Sequence, residues 1–154
     1  MLTTPHVVVS LAILKIVPNP GAALVLAFLS HFVLDWFIPH WNPHLFTEHK
    51  KSGKISKNSL LIILTDGFLS FTLLLVLSLK VWPDLNRIFL YYLTAFAATL
   101  PDLIEIPYYF MNSKNKLLAK YVNFEHENQA NGTVFWGILT QVIVVLAGLQ
   151  ELFS

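Results

Sequence analysis

Four long apolar runs, separated by short polar stretches, dominate the hydrophobic pattern of this chain. They fall near residues 21–39, 59–81, 86–111 and 132–152. Each meets the ~20 largely apolar residues that a helix needs to cross a bilayer. A fifth run, 5–17, is shorter. At ~1.5 Å per residue a helix over it would reach only ~20 Å, which predicts either a thin, tilted span or a partial helix packed on the others. Pro18-Asn19-Pro20-Gly21 reads as a tight turn into the next helix and Pro39 as that helix's stop. Pro83 sits in the short connection between 59–81 and 86–111. The pattern predicts an all-α fold: a polytopic transmembrane helical bundle with four full spans plus a short N-terminal helix. Residues 1–154 then form a single membrane-embedded helical domain.

Composition agrees with the pattern. The chain is 55% hydrophobic and 12% charged, with a mean hydropathy of +0.62, against roughly 25% charged residues in a soluble domain. The net charge of +1, with seven of the nine lysines in two short loops and not along a face, gives no sign of nucleic-acid binding. Membrane lipids are the expected surroundings. The absence of cysteine excludes disulfides and thiolate metal sites. The opening MLTTPH lacks the basic region of a cleavable signal and reads as part of the mature protein.

Lysine placement then orients the spans. The loop at 40–58 holds Lys50, Lys51, Lys54 and Lys57; the loop at 112–131 holds Lys114, Lys116 and Lys120. Alternating spans put both loops on one side, opposite Lys80 and Arg87 beside Asp84. The positive-inside rule predicts that the lysine loops of a multi-pass cell-membrane protein are cytoplasmic. The second loop predicts a short interfacial helix through Leu117, Leu118 and Tyr121.

Against that background five ionisable residues are out of place. His31 and Asp35 lie in the run at 21–39, Asp66 in 59–81, and Asp102 and Glu105 in 86–111. Charges at membrane depth are costly, so these groups must face one another, water or a cation. All lie toward the lysine-bearing end of their helices, where His6 opens the first helix and Glu125 and His126 precede the last. His31 and Asp35, at i and i+4, share one helix face about 6 Å apart, a spacing from which both can ligate one ion. Imidazole plus carboxylate suits a divalent metal such as zinc, with manganese or iron as other choices. Pro101 and Pro107 flank the acids and remove the partners of the Ala97 and Leu103 carbonyls. Irregular backbone at membrane depth is tolerated where it lines a cavity, which predicts a water-accessible pocket here.

Simpler roles stand beside these. His31 and Asp35 could be a plain hydrogen-bonded pair, and Asp66 before Gly67 could be helix-start chemistry. His40, His44 and His49 could be headgroup-level anchors, His40 being the nearest to Asp35. Glu125 and His126 could be solvated loop residues, and the aromatic-rich ends an interfacial belt.

Thr4-Pro5-His6 opening an apolar helix, Ser30-His31-Phe32-Val33-Leu34-Asp35 followed by Pro39-His40-Trp41, and Leu100-Pro101-Asp102 carry a family resemblance. Together they resemble the small bacterial inner-membrane proteins called membrane-bound metal-dependent hydrolases. The resemblance runs from the first helix through the fourth. It implies His6, His31, Asp35 and Asp102 as metal ligands, with His40 as a further candidate, and a hydrolase label that itself rests on similarity to zinc-dependent phospholipases. The chain departs from the family where Asp102-Leu103-Ile104-Glu105 replaces an Asp-x-Asp-His run, which counts against a dinuclear site.

The resulting expectation is a hydrolase with a divalent metal held by His6, His31, Asp35, Asp66 and Asp102, with His40 in reach. Glu105 would be the base and His126 the acid. Its substrate would be a lipid-linked or membrane-accessible ester, plausibly a phosphoester. No serine elbow, phosphate loop or zincin helix competes with this. The alternatives are an ion- or proton-translocating protein using the same acids, and a non-catalytic scaffold in which they glue helices together.

Overall fold

Helix-start signals in the sequence settle most of the boundaries in the computed structural model, which describes all 154 residues. Seven helices follow in order: α1 Thr3–Ile16, α2 Pro20–Phe37, α3 Leu45–Ser52, α4 Lys57–Leu79, α5 Leu85–Phe110, α6 Lys116–Asn128 and α7 Val134–Phe153. Asn19 caps α2 by accepting from the Ala22 amide at 3.0 Å, with Pro20 at the first helical position. Ser56, Asp84 and Asn115 cap α4, α5 and α6 in the same way. Gly53, with φ +66°, ends α3 in the left-handed region that glycine enters without strain.

Helices α2, α4, α5 and α7 are long and apolar enough to cross a membrane, as the apolar runs predict, and the fold is that of a multi-pass membrane protein. Phe68, Phe71, Phe89, Phe135 and Trp136 stand on the outer surface of these helices. Such apolar exposure suits lipid rather than water. Helix α5 stays unbroken through Pro101 and Pro107, so the irregular backbone expected there is not present. The polar segment before α4, read as a loop in the sequence, contains α3. Both α3 and α6 sit at the same end of the bundle, where Phe46 of α3 stacks on His126 of α6 at 3.9 Å between ring centroids. Lys15, at the end of α1, joins Lys80 and Arg87 at the other end, a residue the charge count from the loops leaves out.

The short first helix is the hub of the bundle. It packs against α2, α4, α5 and α7, and His6, Val8, Ser10 and Leu11 on it are fully buried. Its 14 residues would rise only about 21 Å. It is therefore the packed partial helix and not a thin span. Its start lies inside the protein, which raises the question of its free amides. A helix leaves its first four N–H groups without intrahelical partners, and buried ones must be satisfied. The Leu2 amide donates to Gln141 Oε1 at 2.8 Å. The Thr3 and Thr4 amides donate to Asp66 Oδ2 and Oδ1 at 2.5 and 3.3 Å, and the Thr4 hydroxyl donates to Oδ1 at 2.6 Å. Pro5 has no N–H to satisfy. Asp66 also places a negative charge at the positive end of the helix dipole.

Helix α7 approaches α1 through small residues. A Cβ on Gly148 would meet the Val8 side chain at 2.6 Å, and one on Gly137 would collide with the Trp41 backbone. Between them Gln141 donates to the carbonyls of Trp41 and Gly137 at 2.7 and 2.9 Å while its oxygen holds Leu2. Close glycine contacts and an amide crossing between helices are the devices by which helices associate in lipid.

Asp66→Ala removes the acceptor for two amides and a hydroxyl, at a cost of about 1–3 kcal/mol for each buried group left unpaired. The exposed cap Asp84→Ala costs about 1 kcal/mol. Thermal unfolding in detergent should therefore show a much larger drop for Asp66→Ala. Equal drops would contradict the capping role.

Candidate functional site

His6 lies one turn into α1, His31 on α2 and Asp102 on α5, and their ligand atoms all fall within 4.8 Å of one another. The His6 and His31 rings stack at 4.3 Å with an interplanar angle of 19°. Asp35, one turn after His31, approaches both: Oδ1 lies 3.2 Å from His6 Nε2 and Oδ2 lies 3.8 Å from His31 Nε2. Its Oδ1 also accepts from the Met1 ammonium at 2.6 Å. Asp102 Oδ1 is 3.7 Å from His31 Nε2, and its side chain is 42% exposed where those of His6 and His31 are enclosed. Asp102 is thus the ligand candidate facing open space.

The tautomer of His31 follows from its partner. Nδ1 lies 2.9 Å from the Ala98 carbonyl, which only accepts, so Nδ1 carries a hydrogen and, in the neutral ring, Nε2 presents a lone pair. That carbonyl is the neighbour of the Ala97 carbonyl, which Pro101 leaves without a helical donor. The lone pair faces two carboxylates, and neither distance is a hydrogen bond. His6 is buried with neither ring nitrogen in hydrogen-bond geometry, since its contact with Asp35 is close but misaligned. Acceptors face acceptors here, an arrangement that a proton or a cation between them would relieve.

His40 is fully buried in the turn after α2. Its Nδ1 donates to the Ile38 carbonyl at 2.8 Å, leaving Nε2 enclosed without a partner. Burial, and then the Met1 ammonium, push its pKa down to about 4, so the ring is neutral at pH 7. It is not a member of the group formed by His6, His31 and Asp102. The turn is stitched to residues 130–132 by bonds from Ala130 N to the Asp35 carbonyl (2.7 Å), His40 N to Ala130 O (3.0 Å) and Gly132 N to His40 O (2.7 Å).

Asp66 and Asp35 likewise lie outside the group. The sequence reading makes Asp66 a ligand; in the structure its two oxygens accept from the Thr3 and Thr4 amides and cap α1. The helix-start alternative holds, but the helix it starts is α1 and not its own.

A cavity of about 220 Å³ opens beside these residues, with His31, Asp35, Asp66, Asp102, Glu105 and Glu125 among its polar lining. Ile63 of α4 and Ile106 and Phe110 of α5 form an apolar wall, and Leu45 and Phe46 of α3 the roof. Ile106 and Phe110 are also on the outer surface of the bundle. His126 reaches the cavity while stacked on Phe46, and burial and the Lys50 ammonium lower its pKa. Burial raises that of Tyr121 on the same helix. The sequence allows Glu125 either a place among the converging acids or a solvated loop position. It faces the cavity, with Oε2 accepting from Trp36 Nε1 at 3.4 Å. The signal available was its spacing from Tyr121 and Val122, which puts it on the inner face of an amphipathic α6.

No family model, curated protein or solved structure matches this chain.

Glu48 ties the roof to α4: it accepts from the Ser56 amide at 2.8 Å and from the Ser59 hydroxyl at 2.7 Å. The Ser56 amide above all holds its carboxyl below the usual range. A depressed carboxyl pKa keeps these bonds at neutral pH and loses them as pH falls through the folded value. Glu48→Gln should therefore expose α3 at neutral pH as acid does in the wild type, read as faster tryptic cleavage after Lys50, Lys51 and Lys54. Unchanged cleavage in the variant would rule out this tether.

Proposed function

We propose that the chain is a membrane-embedded metal-dependent hydrolase acting on a lipid-linked or membrane-accessible ester, including phosphoesters. One divalent cation, zinc by its ligand chemistry and otherwise manganese or iron, is held by His6, His31, Asp35 and Asp102, with His40 behind them. The observation that carries this is the His31 Nε2 lone pair, fixed by Ala98, facing the carboxylates of Asp35 and Asp102 at 3.8 and 3.7 Å. The Ala98 carbonyl is the kind of outer partner that orients a metal-binding imidazole. The enclosed, unpaired nitrogens of His6 fit the same reading. Bound there, the cation would lower the pKa of a water towards ~7 and polarise the scissile bond.

The chain's own groups supply the rest. Asp102 opens the ligand set to the cavity, which Glu105, one turn later, and His126, near the roof, also line. The apolar wall of Ile63, Ile106 and Phe110 supports entry of an amphiphile from the lipid side. Three residues of the motifs that resemble the membrane-bound metal-dependent hydrolases, His6, His31 and Asp102, meet in one group. Seven lysines at the cavity end, against Lys15, Lys80 and Arg87 at the other, favour a cytoplasmic opening in a bacterial inner membrane. Beyond the site the bundle is closed by an apolar cluster that includes Leu11 and Leu14 of α1 with Leu74 and Leu77 of α4. That favours a one-sided pocket over an ion or proton path.

Elemental analysis of detergent-purified protein, after exposure to zinc or manganese and removal of excess, tests the reading. Wild type should retain about one metal per chain, and His31→Ala/Asp35→Ala none, with both eluting as folded monodisperse species. Metal in neither would refute the hydrolase and leave the scaffold reading, in which the same acids and histidines only join helices.

A further inference from the structure

The proton-handling roles read from sequence rest on Glu105 and His126, yet the cavity carries a third candidate with a more specific setting. Glu125 sits on α6, opposite the α5 wall that bears Asp102 and Glu105. One of its oxygens is anchored by Trp36, the residue after Asp35. The other, Oε1, is enclosed and has no hydrogen-bond partner. An enclosed carboxylate oxygen without a donor is costly to leave bare, so Oε1 is primed to take up a proton. His126, by contrast, is engaged face to face with Phe46 under the Lys50 ammonium.

We propose that Glu125 is the proton-transfer residue of the cavity. The inference rests on the hydrolytic reading above. In the step it serves, a water O–H bond breaks, the proton moves to Glu125 Oε1, and the electron pair left on the water oxygen forms the new bond to the ester carbon or phosphorus. As the ester bond to the leaving oxygen breaks, Oε1 returns the proton to that oxygen, so the carboxylate is restored and the products are an acid and an alcohol. The task requires a group that both holds and releases a proton near neutrality. Burial, with Asp35 and Asp102 adding to it, pushes the Glu125 carboxyl up to about 7, against the opposing pull of the Trp36 bond and the Met1 ammonium. Glu105 faces it from α5, and Tyr121 lies one turn before it on α6.

The test is a pH titration of the full chain in detergent, with its five glutamates labelled at the side-chain carboxyl carbon for NMR. Glu125→Gln assigns the resonance by its loss, and Trp36→Phe assigns it independently by an upward shift of its midpoint should Glu125→Gln fail to fold. The Glu125 resonance should titrate at about 7. One equivalent of zinc should move it while leaving those of Glu48, Glu127 and Glu151 in place, and Glu125→Gln should retain wild-type zinc content. A Glu125 midpoint in the ordinary carboxylate range overturns the proposal. So does a resonance that stays put while zinc binds, or loss of zinc in Glu125→Gln, which would make it a ligand. A wild type that binds no zinc refutes the metal reading alone, and the metal-free titration still decides whether Glu125 holds a neutral-range proton.

Discussion

A helix that begins inside a membrane protein must find acceptors for its first amides, and the arrangement of this bundle turns on how α1 does so. In water those groups would be solvated at no structural cost. Surrounded by α2, α4, α5 and α7 they have only side chains to use. Asp66 from the middle of α4 and Gln141 from the middle of α7 supply the acceptors, and Pro5 removes the remaining donor. Two spans distant in sequence are thereby pinned at a common depth to the same point. That point lies one turn from His6, so the capping contacts also set the height of the metal-candidate group.

The same economy explains why so many polar groups collect at one end. The half of the bundle around Leu11, Leu74 and Leu77 is closed by apolar packing. The other half carries the α1 cap, the stacked imidazoles and the cavity. Each aspartate there has a distinct solution to its charge: Asp66 takes amides, Asp35 takes the Met1 ammonium and lies against His6, and Asp102 stays partly open. Lone pairs on His6 and His31 remain without donors. The chemistry proposed for the site follows from that residue of unsatisfied acceptors and not from the mere count of acids.

Much of this was legible in advance, for identifiable reasons. Span length is set by bilayer thickness, so the four long helices are read directly from apolar runs. Caps such as Asn19, Ser56 and Asp84 act within a few residues, so helix starts are read locally. His31 and Asp35 are neighbours by helical period alone. Other features depend on what lies across the bundle. Asp66 has the composition of a ligand and the contacts of a cap, because its partners are more than sixty residues away. Helix α3 was hidden in a polar segment, since its roof contacts and its tether through Glu48 are tertiary. Glu125 reads as a loop acid until α6 is seen to turn it toward the cavity.

By itself the sequence determined the all-helical membrane architecture, the side on which polar groups gather and the chemical types available there, because each follows from short-range periodicity or from the cost of charge in lipid. The tertiary structure alone decided that the short first helix is a buried hub, that Asp66 serves its amides, and that His6, His31 and Asp102 face one another across three helices. Those outcomes depend on helix packing and on which acceptor reaches which donor, and neither is encoded in the spacing of residues along one helix.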